Sequence, residues 1–178
     1  MPAVLTNITQ AAGARRILSI VIGLALVGLL LAQSLAAAKG PKILEFDTMV
    51  GVPTELTGAA GAIRGVNGAG IAWAIGPSKG ELSTTGHLEI TVRGLVFAAG
   101  TNAGSNTIST FGAIVSCLAA DSSVVNVSAG LFPATTGAAS AGGGNADIEA
   151  DLTLPQPCIA PIVFVTSPGG AWFATIGG

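Results

Sequence analysis

From Asp147 to Leu154 the chain alternates without a break. Ile148, Ala150, Leu152 and Leu154 fall on one parity; Asp147, Glu149, Asp151 and Thr153 fall on the other. Successive side chains of an extended strand point to opposite faces, so this pattern reads as a strand with one buried and one wet side. Beyond residue 38, similar alternations and short apolar runs recur, separated by Gly, Pro, Asn-Gly and Asp-Ser. No window there carries a 3.6-residue apolar period. Short strands at regular spacing without helices indicate an all-β fold, a single antiparallel β-sandwich of immunoglobulin-like or jelly-roll-like kind.

About eight or nine strands are expected from this spacing. Residues 43–49 alternate, with Leu44 and Phe46 opposite Glu45 and Asp47. Residues 57–66 form a weak strand candidate interrupted by Gly58, Gly61 and Gly65, and Asn67-Gly68 is a tight-turn signal. A short strand over 71–75 surrounds Trp73, and a turn is expected over 76–80. Residues 81–83 and 87–97 read as a hairpin about Thr84-Thr85-Gly86, with Leu88, Ile90 and Val92 inward and Gly94 marking a bulge. Residues 108–118 form a long strand with Phe111, Ala113, Val115 and Cys117 in phase, and 124–128 pairs back on it. Residues 98–106 and 135–145 are rich in Gly, Ala, Ser, Thr and Asn and read as loops, the second a flexible one. Residues 159–166 are nearly all apolar, as in a central strand covered on both faces, with Pro161 expected at its start. Ser167-Pro168-Gly169-Gly170 turns the chain into a last strand over 171–176.

The first 38 residues stand apart from this pattern. Arg15-Arg16 precedes an uncharged apolar run from Ile17 to Ala32, and Gln33-Ser34-Leu35-Ala36-Ala37-Ala38 follows. A basic pair, an apolar run and a small-residue exit make a signal peptide, with cleavage expected after Ala36 or Ala38. The competing fate is retention of residues 17–38 as a single membrane anchor, since an apolar helix of about 20 residues spans a bilayer. Either fate places residues 39–178, the expected β-sandwich domain, outside the cytoplasm, secreted or extracytoplasmic.

Cys117 and Cys158 are the only cysteines. An even count in an oxidising compartment is expected to form one disulfide. Two buried thiols or half of a metal site are the rival readings, disfavoured by a single histidine and the lack of a C-x-x-C.

All nine acidic residues lie beyond residue 38, against five basic ones (Lys39, Lys42, Arg64, Lys79 and Arg93), so this part is near −4. Without a basic patch, no nucleic-acid partner is expected. Mild acidity gives no pull toward anionic lipid, so membrane contact is expected only through the N-terminal segment.

Several residues carry a chemical reading beside a plain one. Gly76-Pro77-Ser78-Lys79-Gly80 matches the G-x-S-x-G of a nucleophile elbow, but that elbow needs a strand-turn-helix context. A Pro-Ser turn is the expectation. His87, the only histidine, sits at a hairpin tip and reads as a solvated residue. Asp147, Glu149 and Asp151 share one strand face at about 7 Å intervals. They suit either a Ca²⁺ contribution or a solvated face that discourages edge pairing. Asn126-Val127-Ser128 matches an N-glycosylation acceptor, and Trp73, Trp172 and Phe173 suit either a sugar platform or the core. No cofactor, metal site or catalytic residue is expected.

Three stretches are similar as a set to a group of small secreted bacterial proteins of unknown function: residues 44–52 (Leu-Glu-Phe-Asp-Thr-Met-Val-Gly-Val), Phe132-Pro133-Ala134-Thr135, and residues 158–173. The resemblance covers most of the exported part and implies secretion alone. The expected role is that of an exported, non-enzymatic binding or cell-envelope interaction module, with recognition in loops 98–106 and 135–145. A self-assembling surface subunit (a homo-oligomer) and a small hydrolase resting on Ser78 and His87 are the alternatives.

Overall fold

The structure is a computed structural model, and it describes residues 39–176. The signal-peptide and anchor expectations for residues 1–38 lie outside the described residues. Residues from Lys39 onward form one compact unit.

Two antiparallel sheets carry the domain. The four-stranded sheet has the order β1-β4-β5-β11, with β1 Lys42–Phe46, β4 Ser78–Ser83, β5 His87–Val92 and β11 Ala146–Asp151. The five-stranded sheet has the order β2-β13-β12-β8-β9, with β2 Met49–Gly51, β8 Thr110–Leu118, β9 Val124–Pro133, β12 Ile159–Thr166 and β13 Trp172–Ile176. Two small pairs complete the strands: β3 Trp73–Ala74 with β6 Val96–Phe97, and β7 Ser105–Asn106 with β10 Gly137–Ala138. The expected all-β sandwich is therefore what the chain forms. Leu82, Leu88, Ile90, Val92 and Ile148 of the first sheet share one core with Phe111, Val115, Val163, Val165 and Phe173 of the second.

The five-stranded sheet has a second apolar layer on its other face. Phe164 pairs across with Ile114, out of phase with the inward Val163 and Val165. Trp172 lies against Phe164, ring centroids 6.4 Å apart, and its indole N–H donates to the Gly61 carbonyl at 2.8 Å. Residues 58–69 cover this layer: the Trp172 amide donates to Asn67 O and the Ala69 amide to Trp172 O, both at 2.9 Å. This covering explains why all of Phe111–Cys117 is buried, not only its alternate residues.

The single strand expected over 43–49 breaks at Asp47-Thr48, which carries the chain from one sheet to the other as β1 and β2. Residues 57–66 form no strand. They hold a short 3₁₀ turn, Gly58–Gly61, and a tight turn in which Ile63 and Val66 exchange both backbone hydrogen bonds. The central residues of that turn, Arg64 and Gly65, have φ of 50° and 81°, the double positive φ of a type I′ turn. The turn signal thus belongs to Arg64-Gly65, while Asn67-Gly68 lies alongside Trp172. The turn expected over 76–80 ends by Ser78, where β4 begins. Pro161 is not the first residue of β12. It follows Ala160, whose φ is 45°, inside an irregular stretch between Ile159 and Ile162 where no ladder N–H is needed. Residues 124–128 are only the first half of β9, which runs on to Pro133 past a bulge near Gly130.

Cys117 and Cys158 are joined as expected, with Cα atoms 5.0 Å apart. The bridge links neighbouring strands of one sheet, beside the Leu118–Ile159 pair, and not the two sheets as an immunoglobulin-type bridge would. Loop 135–145 follows Pro133, which pairs with Thr110 at the other end of β8, about 26 Å away by strand rise. The bridge and that loop therefore lie at opposite ends of β8.

Candidate functional site

The two loops singled out by composition come together. Pairing of β7 with β10 sets Asn106 opposite Gly137 and Ser105 opposite Ala138. The Ala139 amide donates to Gly104 O at 3.0 Å. The buried Asn106 side chain fixes the junction: its amide donates to Ile108 O at 2.7 Å and Thr135 O at 2.8 Å, and its carbonyl accepts from Ile108 N at 2.9 Å. The second loop is closed on itself by Thr135, whose hydroxyl donates to Gly142 O at 2.6 Å and accepts from Asn145 N at 2.9 Å. Gly144 lies so close to the Leu95 backbone that a Cβ there would sit 2.2 Å from Leu95 O. Residues 135–145 are thus an ordered, hydrogen-bonded loop, not the flexible one their composition suggested. Thr101–Gly104 and Thr135–Ala141 are exposed, and Asp121 is the only charged residue between Arg93 and Asp147. The result is one neutral, preorganised surface at the Thr110–Pro133 end of the sandwich.

The outer face of the four-stranded sheet is the opposite in chemistry. Register places Glu45 opposite Glu81, Glu81 opposite Glu89 and Glu89 opposite Glu149, one glutamate per strand in a single row. Directly opposed like charges are destabilising unless offset. Lys42 binds Glu81 at 2.6 Å and Glu45 at 3.0 Å, and Lys39 binds Glu89. His87 supplies the third cation: Nε2 is 3.0 Å from Glu89 Oε1 and Nδ1 is 2.8 Å from Asp151 Oδ1. In its charged form the ring donates to both. The hydrogen bond to Glu89, then that to Asp151, raises its pKa above the usual 6.5. Hydrogen bonds from Lys39 and then His87 lower that of Glu89. His87 is therefore not the solvated hairpin residue expected from sequence; its side chain is 13% exposed and joins β5 to β11. Glu45, Phe46, Lys79 and Thr91 line a shallow depression of about 660 Å³ beside the row.

Asp147, Glu149 and Asp151 do share the outer face, but they do not converge. Arg93 holds Asp147 at 2.8 Å and His87 holds Asp151. Among the described residues, the donor atoms that come within 4.8 Å of one another are those of His87, Glu89 and Glu149. That nitrogen-and-carboxylate set suits a borderline divalent cation better than calcium.

Ser78 is buried as the first residue of β4, opposite Val92, on the side of the sheet that carries Leu82. His87 is on the other side, with Glu89, so the two do not meet as nucleophile and base. Trp73, Trp172 and Phe173 are core residues: Trp73 stacks on Phe173 with centroids 3.9 Å apart. Asn126 is exposed, with its amide donating to Arg64 O at 2.9 Å.

The fold and these surfaces define an all-β sandwich domain with one neutral loop surface and one carboxylate-rich face. No family model matches the chain, and no curated protein or solved structure is significantly similar to it.

Proposed function

We propose that the chain is an exported, non-enzymatic interaction module whose recognition surface is the joined loop pair 98–106 and 135–145. The observation that carries this reading is the β7–β10 pairing, which turns two exposed, uncharged loops into one ordered surface. Order before binding lowers the entropy cost of association, as a dedicated recognition surface requires. A surface of hydroxyls, amides and exposed backbone without charge matches an uncharged, hydrogen-bonding partner, such as an envelope polysaccharide. The signal-like N-terminal segment and the resemblance to small secreted bacterial proteins support delivery to such a partner.

The test is binding to a panel of purified envelope polysaccharides by isothermal titration. Thr101→Lys and Ala138→Lys, both at exposed loop positions, should abolish binding with an unchanged melting temperature. Glu81→Gln, on the carboxylate face, should bind as wild type does. Binding that survives both loop variants would overturn the reading.

A further inference from the structure

The two sheets have four edge strands, and three of them are protected against pairing with another chain. β1 carries Lys42 and Glu45, and β11 carries Asp147, Glu149 and Asp151. β2 is three residues long and is covered by the Trp73 backbone, whose amide donates to Val52 O at 2.9 Å. Charge, shortness, cover, proline and bulges are the usual devices that keep sheet edges from associating. The fourth edge, β9, has no charge and is not short; it is interrupted by the bulge near Gly130 and ends at Pro133, and before them residues 124–128 form a regular ladder. It is ten residues long, carries no charged side chain, and among the described residues pairs only with β8.

Its outward side chains are also self-complementary. Opposite the outward-facing Leu118, Ser116, Ile114 and Gly112 of β8 stand Val124, Asn126, Ser128 and Leu131. The bulge near Gly130 supplies the extra residue that brings Leu131 back to this face. The face therefore reads apolar, polar, polar, apolar, and both apolar ends are exposed, Val124 by 46% and Leu131 by 55%. An antiparallel two-fold through Val127 would set Val124 against Leu131 of a second copy and Asn126 against Ser128, each contact occurring twice.

We infer that β9 is the dimer interface of this protein, pairing antiparallel with the β9 of a second copy to make one continuous ten-stranded sheet. The arrangement is closed and isologous, so it stops at two copies. The neutral edge and the mirrored order of its side chains single out a second copy over an unrelated peptide.

The full chain, expressed from its own start and recovered as the cells process it, is measured by sedimentation equilibrium over a wide concentration range. A monomer–dimer equilibrium in the micromolar range is expected, since an edge contact buries less than a standard interface. Val124→Lys and Leu131→Glu should each raise the dissociation constant by roughly tenfold or more. Both positions are exposed, so circular dichroism and melting of the monomer should not change. The double variant Val124→Lys, Leu131→Glu should dimerise again, because the two-fold sets each new lysine against a new glutamate. A monomer at every concentration overturns the inference. So does a dimer that either single variant leaves intact, or one that the double variant fails to restore.

Discussion

The four-stranded sheet buries one face and wets the other, whereas the five-stranded sheet is covered on both. In the first, Leu88, Ile90 and Val92 alternate with His87, Glu89 and Thr91, and each polar residue faces a polar neighbour across the strands. In the second, Phe111 and Val115 meet the shared core while Ile114 and Phe164 meet the layer under residues 58–69. Stability and adaptability therefore reside in different sheets. A doubly covered sheet holds its side chains in close packing on two sides, and changes there leave cavities. A half-wet sheet tolerates substitutions on its outer face, so charge can be arranged there at little cost to packing.

The sharpest break of this contrast is Trp172→Ala. Trp172 is on the outer face of the five-stranded sheet, yet it is 1% exposed and bonded to Gly61. Its loss should cost about 3–5 kcal/mol, as for an interior aromatic. Denaturant unfolding measures this; a cost typical of surface residues would mean that the second layer is not a core.

Next in size is the disulfide, which closes a loop between residues 41 apart in sequence. The Cys117→Ala, Cys158→Ala variant should lose about 2–4 kcal/mol. Amide exchange should show the loss spread over β8 and β12, with the joined loops at the far end little affected. Two titratable thiols in the native protein would contradict the bridge.

The smallest effects belong to the wet face. His87 has a raised pKa in the folded protein, so its contribution is complete below about pH 6.5, the unfolded value, and is lost as pH rises through the folded value. Glu89 is lowered, so its contribution is present above its usual 4.5 and is lost as pH falls below that. Melting temperature should therefore decline as pH rises past the His87 titration, and His87→Gln should remove that decline. Glu149 has no ion pair among the described residues and directly opposes Glu89. Glu149→Gln should leave the melting temperature unchanged or slightly higher, as loss of a like-charge pair requires. A marked fall would show that the row of glutamates holds the sheet in a way the ion pairs do not explain.

The same contrast sets how much was legible in the sequence. β5 and β11 are legible almost residue by residue, because a sheet with one wet face writes its period into the chain. Phe111, Ala113, Val115 and Cys117 were in phase, but the burial of Ile114 and Ser116 between them was not legible. It depends on residues 58–69 lying across the sheet, and that stretch has no period of its own. Gly58, Gly61 and Gly65 weakened a strand there, and they serve instead in tight turns and close approaches, such as Gly61 against the Leu56 carbonyl. The candidate sites divide likewise. Composition marked both loops, but their pairing, and the meeting of His87 with Asp151 across 64 residues, follow from sheet register that no local pattern encodes.

The pairing of β2 with β13 joins Met49–Gly51, near the start of the domain, to its last strand. A chain emerging from its N-terminus reaches residue 51 early and then waits more than a hundred residues for Ala174, Thr175 and Ile176 to arrive. Until then β2 has no ladder, and residues 58–69 have no Trp172 to cover. Such long-range closure slows folding, and the five-stranded sheet cannot be completed until its last strand has been made. A chain cut short before Trp172 would lack the final strand of one sheet, the partner of its first, and the centre of its second core at once.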